Sequence, residues 1–306
     1  MNVLALLLVV AAAAQAPQPP AVHDPVMIRQ DGTYYLFSTG TGISVHSSTD
    51  MQTWKPEPPV FERAPEWTFA AVPGFKGRIW APDISEHDGI YYLYYAISLG
   101  GKITSAIGVA TNETLDRSSP AFQWKDRGMV VQSVVGRDLW NAIDAQLFVD
   151  ERGTPWMAFG SFWSGIKLVA LNPSTGKRAD STIHSIAGRN GGAIEAPVIV
   201  QRGNYFYQWV SFDRCCQGAS STYRVMVGRS TSVTGPYTDR NGTPMTSGGG
   251  TQVLAGHGSI HGPGHQAVLA DDDGDSLVYH YYADNGAALL GINRIGYDAA
   301  GWPFVY

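Results

Sequence analysis

The chain has 306 residues, a formal net charge of −5 and 44% hydrophobic residues, so it is long and apolar enough for one large folded core. Only 15% of its residues are charged, well below the roughly 25% of an ordinary soluble domain, and no basic run is present. This composition argues against nucleic acid and anionic membranes as partners.

The N-terminal segment has the pattern of a secretory signal peptide. Residues 4–10 are apolar and uncharged, and small residues follow at 11–14 and at Ala16. The apolar run is too short for the roughly 20 residues that span a bilayer, which argues against a membrane anchor. We therefore expect residues 1–16 to be cleaved on export to the periplasm or the cell exterior, leaving a mature domain of residues 17–306 with no membrane partner.

Five hairpin units then repeat along the chain. In each unit a short apolar strand with a polar head is followed by a glycine-containing turn and an aromatic, β-prone strand. The aromatic runs lie at residues 31–37, 88–95, 151–159, 202–209 and 273–282. Their spacing of roughly 50 to 75 residues is close to that of propeller blades once loops are added. The pattern predicts an all-β fold with a single five-bladed β-propeller, whereas a β-sandwich explains a fivefold unit less well.

The heads of the five first strands carry Asp24, Asp83, Asp144, Glu195 and His265. In a propeller the first strand of each blade lines the central channel, so these heads are predicted to converge at one mouth of it. One acid alone is most simply a turn or cap residue. Buried acids that recur at the same point of a repeated unit, however, are costly without a task or a partner. Carboxylates with one histidine fit acid–base hydrolysis, metal binding or both.

The predicted separation of these acids indicates a reaction type. Glycoside hydrolysis needs one carboxylic acid that protonates the leaving oxygen and a carboxylate on the other side. Acids on non-adjacent blades suit the gap of roughly 6.5–9.5 Å of inverting enzymes, in which the second carboxylate activates water. A third carboxylate near the acid would raise the pKa of that acid. Trp80, Trp140, Phe162 and Trp163 are candidates for stacking on sugar rings, although each is by itself more simply a core residue.

Cys215 and Cys216 are the only cysteines, and they are adjacent. They cannot link distant parts of the fold, and two cysteines cannot complete a structural zinc site. They are either a pair of thiols or a vicinal disulfide, and export to an oxidising compartment favours the disulfide.

An ordered set of motifs covers nearly the whole mature chain, from residue 22 to the C-terminus. The motifs are Val22-His23-Asp24-Pro25, Trp80-Ala81-Pro82-Asp83, Asn141-Ala142-Ile143-Asp144, the segment 160–166, Glu195-Ala196-Pro197, the segment 211–216 and Gly262-Pro263-Gly264-His265. In this order they resemble glycoside hydrolase family 43, and within it the endo-1,5-α-L-arabinanases. The sequence departs from the family at Ala145, where a proline usually follows Asn-Ala-Ile-Asp, and in the stretch 98–102, which lacks the expected aromatic residue. Neither departure removes a catalytic group.

The resemblance implies a five-bladed propeller and an inverting hydrolase that cleaves internal α-1,5-L-arabinofuranosidic bonds in arabinan. It implies that Asp24 is the general base, that Glu195 is the general acid, and that Asp144 raises the pKa of Glu195 and orients it. It also implies a calcium or similar ion in the central channel, held in part by His265. The substrate contacts that it implies are Asp24, Gly101, Asn141, Asp144, Ser161 and Phe162 or Trp163, and we add Trp80 and Asp83 as further residues of the cleft.

Three alternatives stay open. The chain could be another furanosidase or xylosidase of the same family that acts from chain ends, because loop lengths alone do not separate an open groove from a blocked pocket. A non-catalytic carbohydrate-binding propeller is disfavoured because Asp24, Asp144 and Glu195 are all present. A propeller that binds proteins is disfavoured by the predicted export and by the clustered carboxylates. We expect a monomer by default.

Overall fold

The computed structural model of the chain describes residues 18–271 and 273–306. Within them, five antiparallel sheets are arranged as the blades of a β-propeller, which confirms the predicted fold class. The expected signal peptide at residues 1–16 lies outside the described residues. No helix in the described part of the chain is long and apolar enough to cross a membrane.

The described residues contain 21 strands, one short α-helix and two 3-10 helices. The strands in chain order are β1 Val26–Gln30, β2 Thr33–Ser38, β3 Gly40–Thr41, β4 Ser44–Ser48, β5 Lys55–Glu57, β6 Arg78–His87, β7 Ile90–Ile97, β8 Ser105–Asn112, β9 Lys125–Ser133, β10 Gln146–Val149, β11 Pro155–Phe159, β12 Ile166–Ala170, β13 His184–Ala187, β14 Ile194–Arg202, β15 Tyr205–Phe212, β16 Arg224–Ser230, β17 Thr251–Ala255, β18 His261–Leu269, β19 Ser276–Tyr282, β20 Ala288–Tyr297 and β21 Pro303–Val305. The helices are α1 Trp67–Ala71 and the 3-10 turns Gly218–Ser220 and Met245–Ser247.

Each blade is built from strands that follow one another in the chain. The sheet orders are β1-β2-β4-β5, β6-β7-β8-β9, β10-β11-β12-β13, β14-β15-β16-β17 and β18-β19-β20-β21, and β3 adds a two-residue edge to the second blade by pairing with β6. The first two strands of each blade are the five hairpins predicted from the sequence. Their turns need positive φ, which glycine adopts without strain, as at Gly32 (φ 79°) and Gly89 (φ 76°).

The ring is closed by the N-terminal segment of the described chain. Ala21 forms a β-bridge with Leu289 of β20 in the fifth blade. On either side, the Val22 N–H donates to the Ala288 carbonyl at 3.2 Å, and the Leu290 N–H donates to the Pro20 carbonyl at 3.1 Å. Residues 20–22 therefore bind to the last blade just before the chain enters the first.

Hydrophobic clusters between neighbouring blades hold the ring together. One cluster contains Tyr94 and Phe159 between the second and third blades, and another contains Trp209 and Tyr279 between the fourth and fifth. All four side chains are at most 2% exposed. Burying one large apolar side chain contributes about 1.5–3 kcal/mol to stability, so these contacts also fix the second strands of neighbouring blades relative to one another.

In every blade, one residue near the start of the first strand, which is the strand nearest the channel, has a left-handed backbone conformation. These residues are Asp24, Ala81, Asp144, Ala196 and His265, with φ between 41° and 57°. The residues that follow them are Pro25, Pro82, Ala145, Pro197 and Gln266, and all of these line a small axial cavity. A left-handed conformation costs a non-glycine residue roughly 1–2 kcal/mol. The left-handed conformation nevertheless recurs in all five blades, and in three of them the pairing register between the first two strands shifts at the same point. This recurrence indicates a kink in the first strand, which changes the direction of the side chains that lie at the channel mouth.

The five left-handed residues mark one equivalent position in each blade, and they correct the prediction that all five polar heads share one position. Asp24, Asp144 and His265 do occupy equivalent positions. Glu195, however, lies one residue before the left-handed residue of its blade, and Asp83 lies two residues after the corresponding residue of the second blade. Successive strand residues point to opposite faces, so a residue two positions along lies further down the channel. The mouth of the channel therefore presents Glu195 but not Asp83.

Candidate active site

The channel mouth opens into a cleft formed by two adjoining pockets, with volumes of about 340 Å³ and 490 Å³. The inner pocket contains the three predicted catalytic carboxyl groups, those of Asp24, Asp144 and Glu195. Trp80, Ile143 and Glu195 line both pockets, so the two spaces form one continuous cleft.

Asp24 is buried and receives hydrogen bonds on both carboxylate oxygens. Its Oδ1 lies 2.8 Å from Nδ1 of His23 and 3.1 Å from Nδ1 of His265, and its Oδ2 accepts from the Thr39 hydroxyl at 2.5 Å. The Asp24 backbone N–H donates to Nδ1 of His280 at 3.1 Å. Burial alone would raise the pKa of Asp24, but the charges of His23 and His265 and the His23 hydrogen bond hold it well below its usual range. Asp24 is therefore an ionised carboxylate that can accept a proton.

Glu195 is partly exposed to the pocket and otherwise surrounded by protein. Its carboxyl group accepts a hydrogen bond from the hydroxyl of Tyr223, which is almost completely buried. Burial raises the pKa of Glu195 to about 7; the Tyr223 hydrogen bond acts in the opposite direction, and the negative charge of Asp24 adds to the rise. Glu195 therefore carries a proton in mildly acidic solution and can donate it.

Asp144 is buried, and its Oδ2 accepts the backbone N–H of Ala196, the residue next to Glu195, at 3.1 Å. Burial, followed by the negative charges of Glu195 and Asp24, raises the pKa of Asp144 well above its usual range. Both carboxyl groups therefore favour the protonated form over a wider pH range than an ordinary carboxyl group does. Asp144 has the same left-handed conformation as the equivalent residues Asp24 and His265, although Ala145 follows it in place of the usual proline. This departure from the motif therefore leaves the carboxyl group in place.

The outer pocket collects six of the predicted substrate contacts, which are Trp80, Gly101, Asn141, Ser161, Phe162 and Trp163. The buried side chain of Asn141 is fixed on both sides, since its Oδ1 accepts from Ser105 at 2.6 Å and its Nδ2 donates to Ser161 at 3.0 Å. Ser105 in turn lies 2.7 Å from the Ser98 hydroxyl. Ser98, Leu99 and Lys102 line the same pocket, so the stretch that departs from the family pattern forms part of the cleft wall.

The aromatic wall of the outer pocket is a strained loop. Phe162 and Trp163 both have left-handed backbones, with φ of 45° and 39°. The loop is held by the Phe162 N–H, which donates to the Ile194 carbonyl, and by the Ser164 N–H, which donates to the Leu139 carbonyl, both at 2.8 Å. Trp163 stays 37% exposed. Strain that is held in place by surrounding contacts is typical of functional sites, and here it presents a flat ring to the cleft.

Asp83 and His265 line the axial cavity below the cleft, which has a volume of about 20 Å³. Oδ2 of Asp83 accepts the Leu147 N–H at 2.9 Å, and burial raises the pKa of Asp83 to about 7 against the effect of that bond. This placement corrects the expectation that Asp83 lines the substrate cleft. His265 borders both the cavity and the inner pocket. Burial lowers the pKa of His265 although the Asp24 charge acts against this, so its imidazole is neutral at pH 7.

Several residues of the inner pocket were not identified from the sequence. Thr39, Arg78 and Tyr223 line it, and so does a disulfide that joins Cys215 to Cys216. The disulfide settles the choice between the two forms of the cysteine pair. Only the cysteines carried a signal in the sequence, because the hydroxyls of Thr39 and Tyr223 are placed by tertiary contacts and not by a local motif.

The channel mouth thus holds one carboxylate that stays ionised and two carboxyl groups whose pKa values are raised. Beside them runs a cleft lined with amide, hydroxyl and aromatic groups. An acid and a base of opposite protonation, next to a cleft with polar and aromatic walls, are the groups that glycoside hydrolysis requires.

Comparison with known proteins leads to the same class. A family model described as Glycosyl hydrolases family 43 matches residues 18–303. The chain is 44% identical to an extracellular exo-alpha-(1->5)-L-arabinofuranosidase of Cellvibrio japonicus, over 98% of this chain and 91% of the relative. It is 42% identical to the extracellular endo-alpha-(1->5)-L-arabinanase 1 of Bacillus subtilis, over 92% and 87% respectively. A solved structure of Cellvibrio cellulosa alpha-L-arabinanase complexed with arabinohexaose superposes with a TM-score of 0.91 at 44% identity, covering 94% of this chain and 96% of that one. The chain belongs to glycosyl hydrolases family 43.

Proposed function

We propose that the protein is an inverting arabinan hydrolase that cleaves internal α-1,5-L-arabinofuranosidic bonds. The observation that carries the proposal is the opposite protonation of two carboxyl groups in one pocket. Asp24 is held ionised, whereas the pKa of Glu195 is raised to about 7. A general base and a general acid must differ in this way at the same pH. Arabinan as the substrate is supported by the relatives, which are named for activity on arabinan or arabinofuranosides.

In the proposed reaction, Asp24 removes a proton from a water molecule as the water oxygen attacks the anomeric carbon. Glu195 donates its proton to the glycosidic oxygen as the bond from that oxygen to the anomeric carbon breaks. The new C–O bond forms on the face opposite the leaving group, so the configuration inverts. Solvent then removes the proton from Asp24 and returns one to Glu195. Asp144 helps to keep Glu195 protonated, and the Tyr223 hydroxyl holds the Glu195 carboxyl in one orientation.

Cleavage of internal bonds is supported by the continuous cleft, which extends from the carboxyl groups to the exposed Trp163. Release of short products from chain ends is the second candidate, because the relative that is 44% identical is named an exo-acting enzyme. The two modes differ in whether the polysaccharide can pass the carboxyl groups on both sides.

We also propose that calcium or another cation binds in the central channel beside His265. The axial cavity of about 20 Å³ is large enough for one water-sized particle, which needs roughly 10–15 Å³. The imidazole of His265 at its wall is neutral, and this is the form that binds metals. His265, which borders both the cavity and the inner pocket, would hold the ion, and water on the side of the inner pocket would complete its shell. When bound, the ion would supply positive charge below the carboxyl groups.

Export to the cell exterior or the periplasm is part of the proposal. It is supported by the signal-peptide pattern of residues 1–16 and by two relatives that are named extracellular. A monomer is the proposed assembly. The N-terminal segment of the described chain closes its own propeller, and the cleft is lined by residues of that one chain, which supports a monomer.

Product analysis on linear, debranched arabinan, with xylan and a galactan as controls, tests the specificity. A ladder of arabino-oligosaccharides early in the reaction is expected for internal cleavage. One short product from the outset would favour action from chain ends, and activity on xylan alone would overturn the substrate assignment. Binding without cleavage of any of these would favour a non-catalytic carbohydrate-binding propeller.

The assigned roles can be separated by leaving-group chemistry. Glu195→Ala should lower turnover of arabinan steeply, but lower it less on an arabinoside with a very good leaving group, which needs no proton. Asp24→Ala should abolish turnover of both substrates. Equal losses on both substrates for Glu195→Ala would contradict the acid role.

A further inference from the structure

The disulfide between Cys215 and Cys216 lies in the loop from β15 to β16 of the fourth blade, and both cysteines line the inner pocket. The disulfide closes a small ring that includes the peptide between the two residues, and Cys216 has a left-handed φ of 68°. The base of the loop is closed separately, by the Thr222 N–H that donates to the Arg214 carbonyl at 2.8 Å. At the tip of the loop, the direction of the Cys216 N–H is therefore restrained by the disulfide ring.

A line of hydrogen bonds connects this tip to Asp24. The Cys216 N–H donates to the hydroxyl oxygen of Tyr282, at the end of β19 in the fifth blade, at 2.8 Å. The same hydroxyl lies 2.9 Å from Nε2 of His23, and Nδ1 of His23 lies 2.8 Å from Oδ1 of Asp24. The line thus crosses from the fourth blade through the fifth to the first.

The two ends of this line have fixed donors while Asp24 is ionised. A carboxylate only accepts, so Nδ1 of His23 carries a proton and donates it to Asp24, and the Tyr282 oxygen accepts from the Cys216 N–H. Between them, Nε2 of His23 accepts from the Tyr282 hydroxyl in the neutral imidazole and donates to the same oxygen in the imidazolium. In both forms of His23 the Tyr282 hydroxyl, itself held by Cys216, is hydrogen-bonded to the ring that contacts Asp24. The His23 ring is also stacked on His280, with 4.1 Å between ring centroids.

We propose that the Cys215–Cys216 disulfide positions the general base, because it aims the Cys216 N–H at Tyr282, and Tyr282 in turn fixes His23 against Asp24. The inference rests on the proposed role of Asp24. Tyr282 and His23 are positioning residues that act through Asp24. Reduction releases the Cys216 backbone from the ring, so Tyr282 and His23 lose their fixed orientation and the carboxylate loses its alignment with the attacking water.

The test compares the oxidised wild-type enzyme, Tyr282→Phe and a matched control, each with and without dithiothreitol. The control is Tyr279→Phe, since Tyr279 is a buried tyrosine of the same strand whose hydroxyl donates to Asn293 at 2.6 Å, outside the line. Dithiothreitol reduces the disulfide to two thiols and is itself oxidised to a cyclic disulfide. A thiol reagent on the denatured protein measures the extent of reduction, and thermal unfolding confirms that each sample is folded.

Reduction of the wild-type enzyme, and Tyr282→Phe without reductant, are each expected to lower kcat on arabinan roughly tenfold, because a catalytic group has lost its alignment. KM of Tyr282→Phe should stay within about twofold, since a group that acts on the water does not hold the sugar. Dithiothreitol should change kcat of Tyr282→Phe less than about twofold, because both changes break the same line. Tyr279→Phe should behave as the wild type in both states. Reoxidation should restore the wild-type rate.

Two results would overturn the proposal. One is an unchanged wild-type kcat when both thiols are free. The other is the same loss on reduction in Tyr282→Phe as in the wild type, which would show that the disulfide does not act through Tyr282. The wild-type comparison needs no variant, so it stands even if Tyr282→Phe does not fold.

Failure of the proposed function would look different, since the oxidised wild type would then release no sugar from arabinan. The positioning line can be measured independently of any substrate by heteronuclear NMR of the histidine ring nitrogens. The signal of His23 Nε2, assigned with a His23→Asn variant, should shift on reduction and in Tyr282→Phe, but not in Tyr279→Phe. An unmoved signal would contradict the line of hydrogen bonds whatever the substrate is.

Discussion

Replacing Tyr223 with phenylalanine is expected to move the alkaline limb of the pH–activity profile to higher pH. The general acid must be protonated to act, so kcat/KM falls as Glu195 loses its proton, which in the wild type should occur near pH 7. The Tyr223 hydroxyl donates to the Glu195 carboxyl group and stabilises its charged form. Without that donor the charged form becomes less favourable, the pKa of Glu195 rises, and the acid stays protonated over a wider range.

The size of the shift follows from the difference between two hydrogen bonds. A hydrogen bond to a charged group contributes about 1.5–3 kcal/mol and one to a neutral group about 0.5–1.5 kcal/mol, so the charged form loses roughly 1–1.5 kcal/mol more. One pKa unit corresponds to about 1.36 kcal/mol, so the limb should move up by about one pH unit. The ring of Tyr223 is retained in the variant, and its packing against Gly264 stays available.

The assay is kcat/KM on linear arabinan from about pH 3 to pH 9, a range that brackets the usual carboxyl pKa values and the raised one. Tyr237→Phe is the matched control, because Tyr237 is equally buried but its hydroxyl donates to the Val233 carbonyl at 2.8 Å, away from the pocket. Its limb should coincide with that of the wild type. A limb that stays in place or moves to lower pH in Tyr223→Phe, with the control unchanged, would refute the role given to this hydrogen bond.

Three further changes test other parts of the site. Asp83→Asn should remove a pH dependence of stability. The pKa of Asp83 is raised from 3.8 to about 7 on folding, so the wild-type protein loses stability as the pH rises through that range. With a chelator present, the unfolding temperature of the variant should therefore rise relative to that of the wild type between about pH 4 and pH 8. Parallel curves of unfolding temperature against pH would contradict this. Trp163→Ala should raise KM on arabinan several-fold at nearly constant kcat, because the exposed ring lies in the outer pocket, and an equal fall in kcat would argue against a binding role. His265→Ala should lower activity and abolish any response to chelators, and an unchanged rate would rule out the proposed ion site.

The inner hairpins could be predicted from the sequence because their signals are local. A glycine turn between an apolar strand and an aromatic strand specifies a hairpin wherever it occurs, and five repeats specify the ring. The outer strands carried no such signal. β9, for example, begins with the exposed residues Lys125, Asp126 and Arg127, which suit a blade edge but do not alternate with apolar residues. Such a strand forms because β8 offers it a pairing partner, and that pairing depends on the tertiary structure.

The depth of each acid in the channel could not be read from the sequence for a similar reason. The motifs place Asp83 and Glu195 near the start of their strands, as they do Asp24 and Asp144. Which of them reaches the mouth depends on a left-handed residue and a local shift of ladder register, at Ala81 in the second blade and Ala196 in the fourth. An offset of one residue turns a side chain to the opposite face of the strand, and an offset of two residues places it lower in the channel. No residue type in the motifs indicates which offset occurs.

The three acids of the inner pocket differ in protonation because of the blades next to them. Burial acts on all three in the same direction, so the difference must come from their neighbours. Asp24 lies where the first blade meets the fifth, and the fifth blade supplies His265 and His280 beside it. Asp144 and Glu195 lie where the third blade meets the fourth, where no histidine hydrogen-bonds to either carboxyl group among the described residues and the charge of Glu195 raises the cost of ionising Asp144.

The ring thus separates the two chemical roles by position. Protons are retained at the junction of the third and fourth blades and are released at the junction of the fifth and first. A catalytic pair on adjacent strands of one blade would share one electrostatic environment, and its two carboxyl groups could not be held so easily in opposite states. The polar network at the junction of the fifth and first blades, from Thr39 through His23 to Tyr282, is therefore what makes Asp24 a base and not a third member of the acid cluster.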